Sequence, residues 1–325
     1  MIKSAGVPKD SHYIQHAEAH GVQVAMSSAL FARYASEIGV IMVGVTGTRG
    51  KSTVTNMIYE ALKHSGDIKN EIYIGGNIRG ISTLSLLPSI ETGDIIVLEL
   101  DSWQLQGFGY EKLSPHVAVF TNFYQDHLNY YKDMDDYFLD KVNIFTFQEE
   151  KKGDTLIIGD QVEERIKAAN PPVDPIVAVP IPNEWELSVI GIHNRENAAL
   201  AREALAALGM SDSKIQTALE IFSGIEGRLE YMGKTEGGVK VYNDNNATTP
   251  EATISALNAL SDEDIVLIAG GTNKSTDLSE SIKKINNTCR SVHLINGSGT
   301  DLLVPHLKHV QVHNNLDDAV TSAME

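Results

Sequence analysis

Gly44-Val-Thr-Gly-Thr-Arg-Gly-Lys-Ser-Thr53 closes an apolar run, Val40 to Val45, and opens a helical stretch, Thr53 to His64. A buried strand, a glycine loop and a helix start in that order make a phosphate-binding loop. The first backbone N–H groups of a helix have no partner within it, so they are free to meet an anion. Gly47 and Gly50 let these groups turn inward, Lys51 has the reach for terminal phosphates, and Ser52 or Thr53 offers a hydroxyl to Mg2+. The spacing is a variant of the general G-x-x-x-x-G-K-[ST] form, because Val45 occupies the first glycine position and the glycine, Gly44, stands just before it.

Outward from this loop, runs rich in Val and Ile recur at Ile95 to Leu100, Val117 to Thr121, Thr155 to Gly159, Val239 to Asn243, Ile265 to Ala269 and Ser291 to Asn296, with helical stretches between them. Strands alternating with helices predict an α/β protein whose parallel sheets are covered on both faces. Ligands of such sheets bind outside the carboxyl ends of the strands. Glu99 sits near the end of its run and is either a metal ligand or water-positioner, or a satisfied structural carboxylate. The next run leads into Thr121-Asn-Phe-Tyr-Gln-Asp-His127, where an imidazole beside Asp126 suits a second metal position.

A chain of 325 residues, 42% hydrophobic and 21% charged, has room for two domains or a little more. Its formal net charge of -17 argues against a nucleic-acid or anionic-membrane binder, so anionic substrates must be met by local cationic sites. Met1 to Ser11 lacks the apolar core of a signal peptide, and no later run approaches the roughly 18 apolar residues of a membrane span, which predicts a cytoplasmic protein with no membrane partner. The single cysteine, Cys289, excludes an intramolecular disulfide and a cysteine zinc cage, and reads as a buried, inert thiol. The proline-rich segment Pro171 to Pro182 is a connection or an irregular edge. A domain boundary is expected near Gly224 to Gly227, after a helix ending around Phe222. The first forty or so residues read as a helix (Tyr13 to His20), a short strand (Val22 to Ala25) and a helix (Ser28 to Ser36), too little for a domain alone.

Together these motifs resemble the Mur ligases, in family order, from about Ser4 to Asp277. Thr46-Gly-Thr-Arg-Gly-Lys-Ser-Thr53 is similar to the family's ATP loop, with Arg49 where asparagine is common. Gly75-Gly-Asn-Ile-Arg79, Glu99-Leu-Asp-Ser-Trp-Gln-Leu105 and Asn122-Phe-Tyr-Gln-Asp-His127 have counterparts there. Gly191-Ile-His-Asn-Arg-Glu-Asn197 resembles the adenine-side motif, and Gly227-Arg-Leu-Glu230 the arginine opening the last domain. The implied organisation is a remnant of an amino-terminal UDP-binding domain at 1–37, a central P-loop ATPase-like parallel-sheet domain at 38–224, and an incomplete Rossmann-like C-terminal domain at 225–325. Gln104, and Tyr242-Asn-Asp-Asn-Asn-Ala-Thr-Thr249 followed by the helix Pro250 to Leu260, look like the D-glutamate-adding branch rather than its folylpolyglutamate, diaminopimelate or L-alanine sisters.

The resemblance implies a monomeric ligase that uses ATP and Mg2+, takes UDP-N-acetylmuramoyl-L-alanine and D-glutamate, and forms an amide through an acyl phosphate in peptidoglycan synthesis. Gly47, Thr48, Arg49, Gly50, Lys51, Ser52 and Thr53 would hold the phosphates, Asn194 and Asn197 the adenine, and Asp244 the ribose. Arg228 would arrive on domain closure, much like an arginine finger. Ser52, Glu99, His127 and Lys141, the last as a carbamate, would bind metal. Asn77 and Gln104 would touch the muramoyl substrate, and Thr248 and Lys274 the glutamate. Lys51, His127, Lys141 and Arg228 form the expected catalytic set. Plainer roles exist: Asn194 and Asn197 as helix caps, Gly270-Gly271 as a turn, Trp103 as packing, Lys141 as a solvated helix lysine. The chain departs from the family in three places: most of the amino-terminal domain, the last strands of the C-terminal domain, and Asn246 where the branch has lysine. A Mur-type ligase with another amino-acid acceptor, and a non-catalytic nucleotide-binding remnant, are the competing functions.

Overall fold

The computed structural model describes residues 1–4, 6–8, 10–66, 68–127, 130–272 and 277–325. Residues 1–188 with 194–222 form one compact unit, and 189–193 with 223–325 a second.

The first unit runs β1 (Ile2–Lys3), α1 (His12–Ala19), β2 (Ala25–Met26), α2 (Ser27–Ile38), β3 (Ile41–Thr46), α3 (Lys51–His64), β4 (Ile72–Gly76), β5 (Ile95–Glu99), α4 (Ser102–Glu111), β6 (Val117–Phe120), α5 (Met134–Lys141), β7 (Thr155–Ile158), α6 (Glu163–Ala168), β8 (Pro175–Val177), α7 (Ile192–Ala207) and α8 (Asp212–Ile221). Among the described residues the main sheet has six parallel strands in the order β4-β5-β3-β6-β7-β8. Every residue of β5 and β6 is buried, as continuous apolar runs covered on both faces require. In α3 the buried residues Val54, Met57, Ile58, Ala61 and Leu62 recur at helical spacing and pack one stripe inward. Phe31, Phe108, Phe120, Tyr137 and Phe145 fill the core, each contributing about 1.5–3 kcal/mol by leaving water.

The strand order decides where chemistry can occur. β3 lies between β5 and β6, with Val45 opposite Glu99 and Thr46 opposite Phe120. The glycine loop, Glu99 and the segment starting at Thr121 therefore leave the sheet side by side.

Several expectations shift. The helix that carries Lys141 ends at that residue and tightens into a 3₁₀ turn at Val142–Ile144. The proline-rich segment supplies β8, an edge strand paired to β7 with Pro175 in first position, where a missing N–H is tolerated. Val22 to Ala25 is not a strand throughout; β2 covers only Ala25–Met26, parallel to β1.

The second unit contains β9 (Glu230–Lys234), β10 (Lys240–Asn243), α9 (Pro250–Ala259), β11 (Ile265–Gly270), α10 (Ser279–Thr288), β12 (Cys289–Ile295), α11 (Thr300–Leu303), β13 (Val310–His313) and α12 (Leu316–Ala323). β11, β12 and β13 form the parallel sheet expected there. The run Val239 to Asn243 does not join it. As β10 it pairs antiparallel with β9, a polar strand reached through a short turn that excludes a parallel crossover. Leu257, Ile285, Val292 and Leu294 make the small core.

Candidate active site

The glycine loop is fastened to the segment after β6. The Thr48 N–H donates to the Asn122 carbonyl (2.9 Å), and its hydroxyl exchanges hydrogen bonds with the main chain of Tyr124 (2.9 and 3.2 Å). The Arg49 N–H donates to Asn122 Oδ1 (2.9 Å), while the Thr121 hydroxyl donates to the Arg49 carbonyl (2.5 Å). The Arg49 guanidinium lies 5.2 Å from the Tyr124 ring centre. Such closeness leaves no room for side chains. Gly47 has φ 141°, and a Cβ there would stand 1.9 Å from Thr121 Oγ1; Gly50 has φ 80°, and a Cβ would stand 2.4 Å from Asn197 Oδ1. Gly50 caps α3, whose first three residues are Lys51, Ser52 and Thr53. Lys51 Nζ folds back onto the carbonyls of Gly47 (3.1 Å) and Thr48 (3.0 Å).

Glu99 ends β5 with 4% exposure. Its carbonyl accepts from the N–H of Asn77 (2.8 Å), which sits exposed just past β4. Two residues on, Asp101 caps α4. Its Oδ1 accepts from the Gln104 N–H (2.7 Å) and Gln104 Oε1 accepts from the Asp101 N–H (3.1 Å), a reciprocal capping box. Gln104, expected at the muramoyl substrate, thus has its carbonyl oxygen committed to the helix start. Trp103 packs against His127, ring centres 4.7 Å apart, and against Tyr130, in the packing role.

His127 has φ 56°, uncommon for a residue with a side chain. Asp126 Oδ1 accepts its N–H (2.8 Å), and the Asp126 carboxylate lies 3.4 Å from its Nε2. Burial pushes the imidazole below its ordinary pKa; Asp126 opposes this, and Lys141 and Lys51 reinforce it. A neutral imidazole, the metal-ligating form, is favoured at neutral pH.

Lys141 is no solvated helix lysine. It is 1% exposed, its Nζ donates to Thr46 Oγ1 (3.2 Å) and the Gly47 carbonyl (2.8 Å), and it stands 5.0 Å from the Tyr137 ring centre. Burial first, then the nearby Lys51 charge, hold its pKa well below the usual lysine value, against the pull of Asp101 and Asp126. The Gly47 carbonyl thus receives both lysines.

Asn194 and Asn197 are not helix caps. They lie within α7, almost fully buried, with Asn197 Nδ2 donating to Asn194 Oδ1 (3.3 Å) and Asn197 Oδ1 over Gly50. In the second unit, Asp244 Oδ1 accepts the Leu229 N–H (2.9 Å); burial raises its pKa, and Leu229 and Arg228 oppose the rise. Asn246 Nδ2 donates to the Glu226 carbonyl (3.0 Å), and exposed Thr248 follows in the same turn. Lys274 lies outside the described residues.

Cys289 is half-buried, and burial pushes its thiol up to about 11, so it is inert. Sequence reading gave no role to Thr121, Asn122 or Gln161. The Gln161 side chain accepts from the Phe123 N–H (2.8 Å) and donates to the Phe123 carbonyl (3.1 Å), pairing with the main chain as a strand would.

The match to the Mur ligase middle domain covers residues 45–181. A UDP-N-acetylmuramoylalanine–D-glutamate ligase from Roseiflexus sp. is 32% identical over 344 residues, spanning 95% of this chain and 72% of that protein. One from Borreliella burgdorferi is 31% identical over 348 residues, spanning 100% of this chain and 73% of the relative. Among solved structures, MurF ligase from Thermotoga maritima in complex with ADP shares the fold at a TM-score of 0.70 and 18% identity, over 99% of this chain and 87% of that one. Identity at this level across nearly the whole chain, on top of the phosphate-loop geometry, means that the chain belongs to the Mur ligase family of ATP-dependent, amide-bond-forming enzymes.

Proposed function

We propose that the chain joins D-glutamate to UDP-N-acetylmuramoyl-L-alanine with ATP, in peptidoglycan precursor synthesis. The observation that carries the reading is the convergence of the strapped glycine loop, Glu99 and buried Lys141 at the carboxyl ends of the central strands, in a chain whose relatives bear that activity in their names. The proposed site of action is the cytoplasm; among the described residues no helix is long and apolar enough to cross a membrane.

In the proposed reaction the carboxylate of the muramoyl substrate attacks the γ-phosphorus of ATP and ADP leaves. The amine of D-glutamate then attacks the acyl carbon, phosphate leaves, and the amine gives up a proton. Such chemistry needs positioning and charge neutralisation. Gly47 and Gly50 open the loop so that backbone N–H groups receive phosphate oxygens, and Lys51 exchanges its two carbonyl partners for the γ-phosphate. Asn197, beside Gly50, and Asn194, hydrogen-bonded to it, take the adenine side. Arg228, Asp244 and Thr248 are assigned to nucleotide and glutamate on the family resemblance, and Asn77 and Gln104 to the muramoyl substrate.

The donor set fits Mg2+. Among the described residues no three His, Cys, Asp or Glu side chains form a ready cage, and a magnesium ion that keeps several waters and takes phosphate oxygens needs none. Ser52, Glu99 and His127 would hold it, and it would screen the γ-phosphate from the incoming carboxylate. Burial and the Lys51 charge favour the unprotonated amine of Lys141, the form that adds CO2, and its carbamate would add a further carboxylate to this set.

Phosphate release from ATP with UDP-N-acetylmuramoyl-L-alanine, compared with D-glutamate, L-glutamate and no amino acid, tests the reading. Stimulation by D-glutamate alone is expected. Stimulation by a different amino acid would reassign the acceptor, and nucleotide binding without stimulation would reduce the chain to a nucleotide-binding module.

A further inference from the structure

Three polar side chains from three elements meet in the interior of the first unit: Lys3 on β1, Gln106 on α4 and Asp140 on α5, exposed by only 4%, 2% and 4%. Lys3 Nζ donates to Gln106 Oε1 (2.6 Å), and Gln106 Nε2 donates to Asp140 Oδ2 (2.8 Å). A carboxamide suits this place, since it accepts from an ammonium at one end and donates to a carboxylate at the other. Lys3 is 103 residues from Gln106 in sequence and farther still from Asp140, so the node fastens the start of the chain to the helices beside the phosphate loop.

Burying an ammonium and a carboxylate is unfavourable unless both are satisfied, and apolar side chains of similar volume would join these elements without that cost. What the polar chain adds is direction. Asp140 and Lys141 are consecutive in the last turn of α5; the first is drawn to Gln106, the second to Thr46 Oγ1 and the Gly47 carbonyl. Beyond Lys141 the α-helix gives way to the 3₁₀ turn, so no further α-helical turn fixes its rotation.

We infer that Lys3, acting through Gln106 and Asp140, is a positioning residue that aims Lys141 at the phosphate loop. The inference rests on the ligase reading for its effect on turnover, but not for its effect on Lys141.

The test compares the full-length chain with its Lys3→Met and Lys3→Arg variants. Lys3→Met is expected to lower kcat by about tenfold or more while KM for ATP and the Kd for ADP change by less than about threefold, because the loop itself is strapped to the segment after β6. Lys3→Arg, which keeps the cation, recovers most of kcat. In chains labelled with 13C at the lysine ε-carbon, the Lys141 resonance, assigned by its loss in Lys141→Arg, shifts in Lys3→Met and stays near its place in Lys3→Arg. An unmoved Lys141 resonance, or kcat equal to that of the parent chain, overturns the inference; so does a loss of nucleotide affinity in step with a falling Tm. If the parent chain shows no turnover, the ligase reading fails while the resonance still decides the role of Lys3. Should Lys3→Met not fold, Asp140→Asn, which keeps shape and removes the charge, is read in the same way.

Discussion

At Gly50 a single hydrogen stands where any other residue would carry a carbon. The φ of 80° and the Asn197 oxygen, 2.4 Å from a would-be Cβ, act together, so Gly50→Ala must strain the backbone and displace Asn197 at once. A loss of about 1–2 kcal/mol in stability is expected from the backbone alone, with nucleotide affinity falling by about tenfold or more; calorimetric titration with ADP checks the second, and an unchanged Kd would contradict the loop assignment. Gln161 gives a subtler case. Gln161→Ala removes both hydrogen bonds to Phe123 and frees the segment to which the loop is tied. A stability loss of about 1–3 kcal/mol in chemical denaturation is expected, and none at all would mean that the segment holds itself. The sequence made Gly47, Gly50 and Lys51 legible because their chemistry is contained in one short stretch. It concealed Thr121, Asn122 and Gln161 because each works through a partner far along the chain: Arg49 is 72 or 73 positions from the first two, and Phe123 is 38 from Gln161. Lys141 stood between: taken alone it reads as a solvated helix lysine, the family resemblance singled it out, and the fold shows it buried.

Strands were legible where the sheet buries both faces. β3, β5, β6 and β7 read as unbroken apolar runs and fall within a residue or so of where those runs lie. β4 escaped notice because it ends in Gly75-Gly76, and β9 because Glu230, Gly233 and Lys234 interrupt it; half-exposed pairs carry no continuous apolar signal. In the second unit, β12 and β13 hold a stacked pair, His293 Nδ1 lying 3.2 Å from His313 Nε2. Burial, aided by His313, lowers the pKa of His293 in the folded chain. As pH falls below about 6.5, the unfolded chain therefore takes up a proton that the folded chain refuses, and stability declines until the folded-state value is passed; above that window His293 adds no pH dependence. Denaturation midpoints measured from pH 8 to pH 5 should fall for the parent chain and fall less for His293→Gln. Equal slopes would remove His293 from the account.

The whole chain carries a net charge of -17, while its proposed substrates are themselves anions. At long range the molecule repels them, and only near the loop do Arg49 and Lys51 reverse the field. Raising the ionic strength from 0.01 to 0.15 M shortens the screening length from about 30 to about 8 Å. Stopped-flow association of ATP should therefore accelerate with salt over this range; a slowing would show that the local cations steer the encounter. The parallel sheets were foreseeable from alternating strands and helices, whereas the antiparallel pair β9–β10 was not, since β9 carries no continuous apolar run and left the run Val239 to Asn243 without a visible neighbour across the short turn.

The proline-bounded edge strand β8 has a bearing on how the molecule behaves in a crowd. An open sheet border made of unblocked amides is a template on which neighbouring copies can add and grow into fibrils, and a ring nitrogen at Pro175 withholds one of the needed donors. With Pro171, Pro172, Pro180 and Pro182 flanking it, this border is a poor seed, and the chain can be kept concentrated without polymerising from that side.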